Sequence, residues 1–137
     1  MTSIQILNKI REKIIESGID DQYKLGAYDF VLNGLDFYLS TLGEKRHVTG
    51  QELSIALLSF AHKQFGPLSR SVLKNWGIQS TEDFGHIVYN LISVGMLSKQ
   101  PDDSLDHFFN VVDFSSYFES QNDFIIDAEN IKRIKGA

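Results

Sequence analysis

The stretch that decides the fold is VTGQELSIALLSFAHKQFGPLSRSVLKNWGIQSTEDFGHIVYNLISVG, residues 48–95. Apolar residues recur in it every three or four positions, which is typical of amphipathic helices. Thr49 and Glu52 have the spacing of a capping box, which begins a helix, and Ser80 and Asp83 repeat that spacing in a weaker form. The stretch therefore predicts three consecutive helices, Thr49–Phe65, Leu68–Trp76 and Ser80–Val94.

Two more helices are predicted before this stretch. The first has an apolar stripe from Ile4 to Ile14, and the second covers Asp21–Leu42. Part of the second segment also alternates as a strand would, so that alternative stays open. Gly34 and Gly85 fall inside predicted helices, where a missing side chain predicts close approach of another backbone.

The periodicity changes after residue 95. Turn-forming residues at 101–104 separate a short extended segment from a segment rich in Phe and Val, which predicts a β-hairpin over Met96–Phe114. Phe108 and Phe109 would point to opposite faces of a strand, so one of them should be exposed unless something covers it.

Three helices followed by a hairpin give the element order of a winged helix-turn-helix. The predicted fold class is therefore α+β and mainly α, with a winged-helix-like half at about 48–114 after the two earlier helices. The length of 137 residues fits one domain, 1–137, and the tail 115–137 is predicted to be partly flexible, with a short helix at Ser116–Glu119. Trp76 is predicted to anchor the middle helices to the core.

The composition is that of an ordinary soluble globular protein. The chain has no cysteine, which excludes disulfides and thiolate chemistry, and its longest aliphatic run, Ile55–Leu58, is too short to span a membrane. Residues 1–13 lack the continuous apolar stretch of a secretory signal. The expected location is the cytoplasm, without membrane association.

Blocks of the sequence between Tyr23 and Phe118 resemble a small family of uncharacterised bacterial proteins. The matching blocks are AYDFV (27–31), HVTGQEL (47–53), QFG (64–66), VLKNWGI (72–78), TEDFGHIVYNLI (81–92) and VVDF (111–114). The resemblance implies a shared fold. It carries over no activity and no site residue, because none is established for the family.

Charge argues against the nucleic-acid binding that a winged helix invites. The net charge is −5, and residues 78–114 carry six acidic and one basic side chain. The first turn of the predicted recognition helix is Thr81-Glu82-Asp83, which would repel phosphates. A DNA-binding regulator is kept as the alternative hypothesis, with phosphate contacts from Lys63, Arg70 and Lys74 on another face.

No motif for catalysis, for a cofactor or for a metal is present in the sequence. It has no Walker loop, GxGxxG turn, HExxH pair or GxSxG elbow, so no cofactor is predicted. His86, His107 and Asp103 could form a metal site only if the predicted hairpin folded back onto the preceding helix. The alternative is that these histidines are ordinary side chains with local hydrogen bonds. A small enzyme with a site formed only in the tertiary structure is the weakest hypothesis.

The leading hypothesis is a non-enzymatic protein-interaction or assembly module that binds an unknown protein or a second copy of itself. An acidic face at the position where a winged helix meets DNA would suit a basic partner. The residues predicted for this partner-binding face are Glu82, Asp83, His86, Asn90, Asp102, Asp103 and Asp106.

Overall fold

The computed structural model describes residues 3–18 and 20–119. The bounds of its helical elements are α1 (Ser3–Ile10), a π-helical turn (Arg11–Ile15), α2 (Leu25–Leu42), α3 (Gly50–Phe65), a 3-10 turn (Gly66–Leu68), α4 (Ser69–Asn75), α5 (Thr81–Ser93) and a second 3-10 turn (Leu105–Phe108). Residues 114–119 are also helical. The prediction of a mainly helical protein is confirmed. Residues 120–137 of the predicted tail lie outside the described residues.

The long helix α2 begins at Leu25 rather than at Asp21, and the strand alternative for this segment is wrong. Gly34 lies against α3, since a Cβ there would be 2.5 Å from Leu57 Cδ2 and 3.1 Å from Phe60 Cδ2. The close packing predicted at this glycine is confirmed. The group that approaches is a pair of side chains rather than a backbone.

The starts of α3 and α5 are set by the two predicted capping pairs. The hydroxyl of Thr49 accepts a hydrogen bond from the amide of Glu52 at 3.1 Å. In α5 the carboxylate of Asp83 accepts from the amides of Ser80 at 3.1 Å and Gln79 at 2.7 Å. Both side chains satisfy amides that a helix start leaves without intrahelical partners, and the predicted starts are confirmed.

The predicted β-hairpin over Met96–Phe114 is wrong, because residues 3–18 and 20–119 contain no strand. This segment is a loop with one 3-10 turn. Side chains satisfy backbone groups in it: the carboxylate of Asp103 accepts from the amide of Gln100 at 2.8 Å, and the hydroxyl of Thr81 donates to the carbonyl of Phe108 at 2.7 Å. The α+β class is thus replaced by an all-helical architecture in the described part of the chain.

The loop is held by Phe108, which is 5% exposed and fits between α3 and α5. A Cβ on Gly50 or Gly85 would come within 2.9 Å of the side chain of His107 or Phe108, so each helix provides a glycine notch. This fit explains why the segment turns here instead of running straight as a strand. Phe109 is 41% exposed, which confirms that one of the two adjacent phenylalanines faces out.

The core is centred on the ring of Phe30 from α2. Its centroid lies 5.5 Å from that of Phe60 and 6.5 Å from that of Phe84, so α2, α3 and α5 meet there. The ring of Trp76 lies 5.7 Å from Phe30 and 5.8 Å from Phe65. Trp76 therefore joins the end of α4 to α2 and α3 as predicted, although from a half-buried position.

Candidate ligand-binding cavity

A cavity of about 140 Å³ lies between α2, α3, α5 and the loop after α5. We call it the α5 cavity. Its apolar lining residues are Leu35, Leu39, Val48, Leu53, Val88, Ile92, Leu97 and Phe108. Its polar lining residues are Arg46, His47, Tyr89, Ser98, Asp103, Ser104 and His107. An apolar concavity with a few polar groups is typical of a small-molecule site.

The periodicity of α5 builds one wall of the cavity. Val88 and Tyr89 follow Gly85 by three and four positions and Ile92 follows it by seven, so all three share the helix face that continues from Gly85. Because Gly85 lets Phe108 approach, the loop lies beside this face and forms another wall of the cavity. The glycine that packs the loop and the residues that line the cavity therefore belong to one stripe.

Tyr89 is an unusual residue of the cavity lining. Its hydroxyl is buried and has no hydrogen-bond partner among the described residues. Burial raises the pKa of Tyr89, and the negative charges of Asp103 and Asp106 raise it further. Buried hydroxyl groups in proteins are normally hydrogen-bonded, and an exception calls for an explanation.

The edge of the cavity has an imidazole–carboxylate pair. His47 Nε2 lies 2.7 Å from Asp103 Oδ1, and the two residues come from the α2–α3 and the post-α5 loops. Burial opposes the negative charge of Asp103, but hydrogen bonds from the Gln100 amide and His47 outweigh it and lower the pKa of Asp103. The pair ties the two loops together beside the cavity.

A second charged cluster surrounds Glu52 on the outer side of α3. Arg46 Nη2 donates to its carboxylate at 2.6 Å, and the Tyr38 hydroxyl also donates to it. These two hydrogen bonds, that from Arg46 first, lower the pKa of Glu52 to about 2. Arg46 lies 3.7 Å from Glu44 as well, so the one arginine of the cavity lining is paired twice.

Two residues of the predicted partner-binding face form hydrogen bonds within the chain. Asp83 accepts from the hydroxyl of Tyr23 at 2.5 Å, and Asn90 donates to the Tyr28 hydroxyl at 3.0 Å and to Asp20 at 2.9 Å. Burial raises the pKa of Tyr28 to about 12. These bonds form a contact between α5 and the chain around the start of α2, and the partner-binding face stays a prediction.

The other predicted face residues lie in different local surroundings. Asp103 lines the α5 cavity, while Glu82 is half-buried beside Arg70 in a separate shallow hollow. His86, Asp102 and Asp106 are exposed, and Asp106 accepts a hydrogen bond from Ser104. Of the seven predicted residues, Asp103 is the one that the described structure places in the cavity lining.

The three basic residues of the DNA-binding hypothesis are divided between two places. Arg70 and Lys74 line one hollow near Phe114. Lys63 lies elsewhere, with Nζ 5.7 Å above the ring of Phe37. The first turn of α5 faces the protein, because Thr81 is 2% exposed and Asp83 is bonded internally.

The metal site considered from His86, His107 and Asp103 is not assembled. His107 and Asp103 both line the α5 cavity, whereas His86 is an exposed residue outside it. Over residues 3–18 and 20–119, no three His, Asp or Glu side chains are grouped as metal ligands.

Comparison of the chain with models of protein families, with curated proteins and with solved structures finds no match. The resemblance to a bacterial family therefore stays a prediction. Within the described part of the chain, no helix has the length and apolar character needed to cross a membrane.

Sequence reasoning missed Tyr89 and His47 as site residues. The bond between His47 and Asp103 joins positions 56 residues apart, so no local spacing reveals it. One signal was present: Tyr89 falls among the apolar positions of α5, where a hydroxyl needs a partner.

Proposed function

We propose that this chain is a non-enzymatic binding module that takes up a small apolar molecule in the α5 cavity. The observation that carries the proposal is the concave and mostly apolar lining of this cavity, to which α2, α3, α5 and the neighbouring loops all contribute side chains. Removal of this apolar lining from water would favour the binding of an apolar molecule.

The polar groups at the cavity edge support binding rather than catalysis. A His–carboxylate pair that activates a nucleophile also bonds that nucleophile through the other ring nitrogen. The imidazole of His47 bonds Asp103, and no hydroxyl or amine of the described residues bonds its ring. Its described contacts hold the two loops together.

The experiment is a titration with toluene, an uncharged apolar probe, followed by amide chemical shifts and by thermal unfolding. We expect shifts in residues that line the α5 cavity, and stabilisation by about 1.4 kcal/mol at ten times the dissociation constant. Ile92→Phe places a larger side chain in the cavity lining and should abolish both effects. Ile55→Phe is the matched control, because Ile55 is 51% exposed and lies outside the cavity. Toluene shifts that persist in Ile92→Phe would contradict the proposal.

Self-association is the second candidate function, and two exposed apolar side chains favour it. Phe37 and Ile55 are 39% and 51% exposed and line one shallow hollow between α2 and α3. A second copy of the chain would cover this apolar area. Sedimentation of the wild type and of Ile55→Ser tests it: a dimer that the serine abolishes supports this candidate, and a monomeric wild type contradicts it.

A further inference from the structure

Polar residues of the α5 cavity lie where it opens to water. Among its lining residues, the side chain of His47 is 37% exposed, that of Asp103 is 19% exposed, and Ser104 is an exposed residue. The apolar lining residues Leu53 and Val88 are 4% and 8% exposed. A ligand can therefore bury an apolar body among the apolar residues and keep one polar group at the edge in contact with water, as amphipathic side chains do.

The carboxylate of Asp103 has acceptor sites left for such a polar group. Its Oδ1 lies 2.7 Å from His47 Nε2, and its Oδ2 accepts from the amide of Gln100 at 2.8 Å. An ionised carboxylate offers about four lone-pair sites, so each oxygen can accept one more hydrogen bond. Although burial opposes its charge, the hydrogen bonds from Gln100 and His47 lower the pKa of Asp103. The edge of the cavity therefore holds an ionised acceptor at neutral pH.

The arginine of the lining does not offset this negative charge. Arg46 Nη2 donates to the carboxylate of Glu52 at 2.6 Å, and Arg46 Nε lies 3.7 Å from the carboxylate of Glu44. Two carboxylates thus act against one guanidinium, and the cluster as a whole is negative. An anionic ligand at the edge would have to displace one of these carboxylates to bond Arg46.

Two further charges act on the edge, and the nearer effect is again negative. The charge of Asp106 acts on Tyr89, which lines the cavity. Lys99 acts on Asp103 with the opposite sign, but it is exposed and its ammonium donates to a backbone carbonyl at 3.4 Å. Solvent and salt screen the charge of such an exposed side chain. With histidines uncharged at pH 7, carboxylates outnumber cations around the edge.

We propose that the α5 cavity binds a cationic amphiphile, with an apolar body inside the cavity and one protonated amine at the edge that bonds Asp103. An ammonium group has only donors, so it can donate to the carboxylate and to water at the same time. The cavity prefers this ligand to an uncharged molecule of the same shape and disfavours a carboxylate. The inference rests on the proposed function, because it names the ligand class of the same cavity.

The test compares benzylamine, benzyl alcohol and benzoate, which share a phenyl ring and differ in the charge of one group. Amide chemical shifts of the cavity lining are followed at about pH 8, above the ordinary titration range of imidazole. We expect benzylamine to bind the wild type about fivefold more tightly than benzyl alcohol, the ratio that one partly exposed ion pair provides, and benzoate to bind most weakly. The advantage of benzylamine should disappear as salt rises to about 1 M, where the Debye length is about 3 Å.

Asp103→Asn removes the charge at the edge but keeps an acceptor oxygen. In this variant benzylamine should lose most of its advantage, while benzyl alcohol should bind as it does to the wild type, which shows that the cavity is intact. Asp106→Asn leaves the bond between His47 and Asp103 in place and should reduce the advantage in part. Asp36→Asn is the matched control, because Asp36 is exposed and does not line the cavity, and it should keep the full preference.

The ligand class is wrong if the wild type binds benzylamine no better than benzyl alcohol, or if it binds benzoate as tightly as benzylamine. A preference that persists at high salt or in Asp103→Asn would also overturn it. If Asp103→Asn does not fold, the salt series of the wild type and Asp106→Asn decide. In each of these cases toluene that still shifts the lining amides leaves the proposed function standing. If neither toluene nor benzylamine shifts them, the proposed function itself fails.

Discussion

The two faces of α5 differ in whether their polar side chains have hydrogen-bond partners. On the face toward the start of α2, Asp83 and Asn90 lie seven residues apart and both bond tyrosines, Tyr23 and Tyr28. On the face toward the loop after α5, the hydroxyl of Tyr89 is buried and has no partner in the described structure. The first face is complete by itself, whereas the second is not.

This difference separates a stabilising contact from a candidate binding site. Polar groups that are fully paired contribute to folding, and removing one partner leaves the other buried and unsatisfied. A buried polar group that stays unpaired lowers stability, whereas an apolar cavity can bind a ligand. Mutations on the two faces should therefore differ in what they change: stability on the α2 side, and both stability and binding on the cavity side.

The largest expected effect is on the cavity side, at Phe108. Phe108→Ala removes a side chain that is 5% exposed and held between α3 and α5, and it should lower the free energy of unfolding by about 3–5 kcal/mol. The neighbouring Phe109 is 41% exposed, so Phe109→Ala should cost less than about 1 kcal/mol. Urea unfolding of both variants measures the two values. Equal losses would mean that the loop is not held as described.

On the α2 side, Asp83→Ala should cost about 2–3 kcal/mol. It leaves the buried Tyr23 hydroxyl and the amides of Gln79 and Ser80 without their acceptor. Asp83→Asn keeps one acceptor oxygen and should lose about half as much. Asp102→Ala removes an exposed carboxylate and serves as the control.

The Asp83 variants should bind toluene with the affinity of the wild type, because Asp83 does not line the α5 cavity. Urea unfolding and probe titration together give both readouts. A loss of probe binding without loss of stability would break the distinction between the two faces.

The sequence predicts the helices because their signals are local. Thr49 and Asp83 cap amides within four residues of themselves, and apolar periodicity marks the buried stripe of each helix. The hairpin prediction fails because Phe108 is fixed by glycines 58 and 23 positions earlier, at Gly50 and Gly85. Richness in Phe and Val indicated burial correctly but could not distinguish a strand from a buried turn.

The candidate site was less accessible to sequence reasoning than the fold. Asp83 and Asn90 were assigned to a partner-binding face because they lie on the helix that a winged helix presents to DNA, but their bonds to Tyr23 and Tyr28 span 60 and 62 residues. Such bonds depend on how α2 packs on α5. The sequence shows where the carboxylates lie along the chain. Only the packing of the helices shows which of them form hydrogen bonds within the fold.

A smaller effect is expected at the outer edge of the cavity side, in the pH dependence of stability. The pKa of Glu52 is lowered from its usual value of 4.5 to about 2, first by Arg46 and then by Tyr38. A carboxyl group with a lowered folded-state pKa stabilises the fold above its unfolded pKa and loses this contribution as the pH falls through the folded value.

We therefore expect the wild type to lose about 1 kcal/mol of stability through Glu52 between pH 4.5 and pH 2, after allowance for the partial exposure of its side chain. Urea unfolding of the wild type and of Glu52→Gln across this range measures it. The wild type should be the more stable at pH 6, and the two should converge near pH 2. Parallel pH profiles would contradict the assignment.

The smallest expected effect is in DNA binding, where we expect none from the wild-type chain. The first turn of α5 cannot read bases while Thr81 is buried and Asp83 is bonded to Tyr23, and the wing of a winged helix is absent from the described residues. Affinity for duplex DNA comes largely from counterions that are released when cationic side chains neutralise phosphates, and a chain with a net charge of −5 gains little from this release. Fluorescence anisotropy with a labelled random duplex at low salt should therefore show no binding.

Replacing the exposed Asp102 and Asp106 with lysine should produce weak binding that disappears as salt rises, because only charge has changed. Tight wild-type binding that Arg70→Ala and Lys74→Ala abolish would instead place the functional surface at the hollow near Phe114, away from both faces compared above.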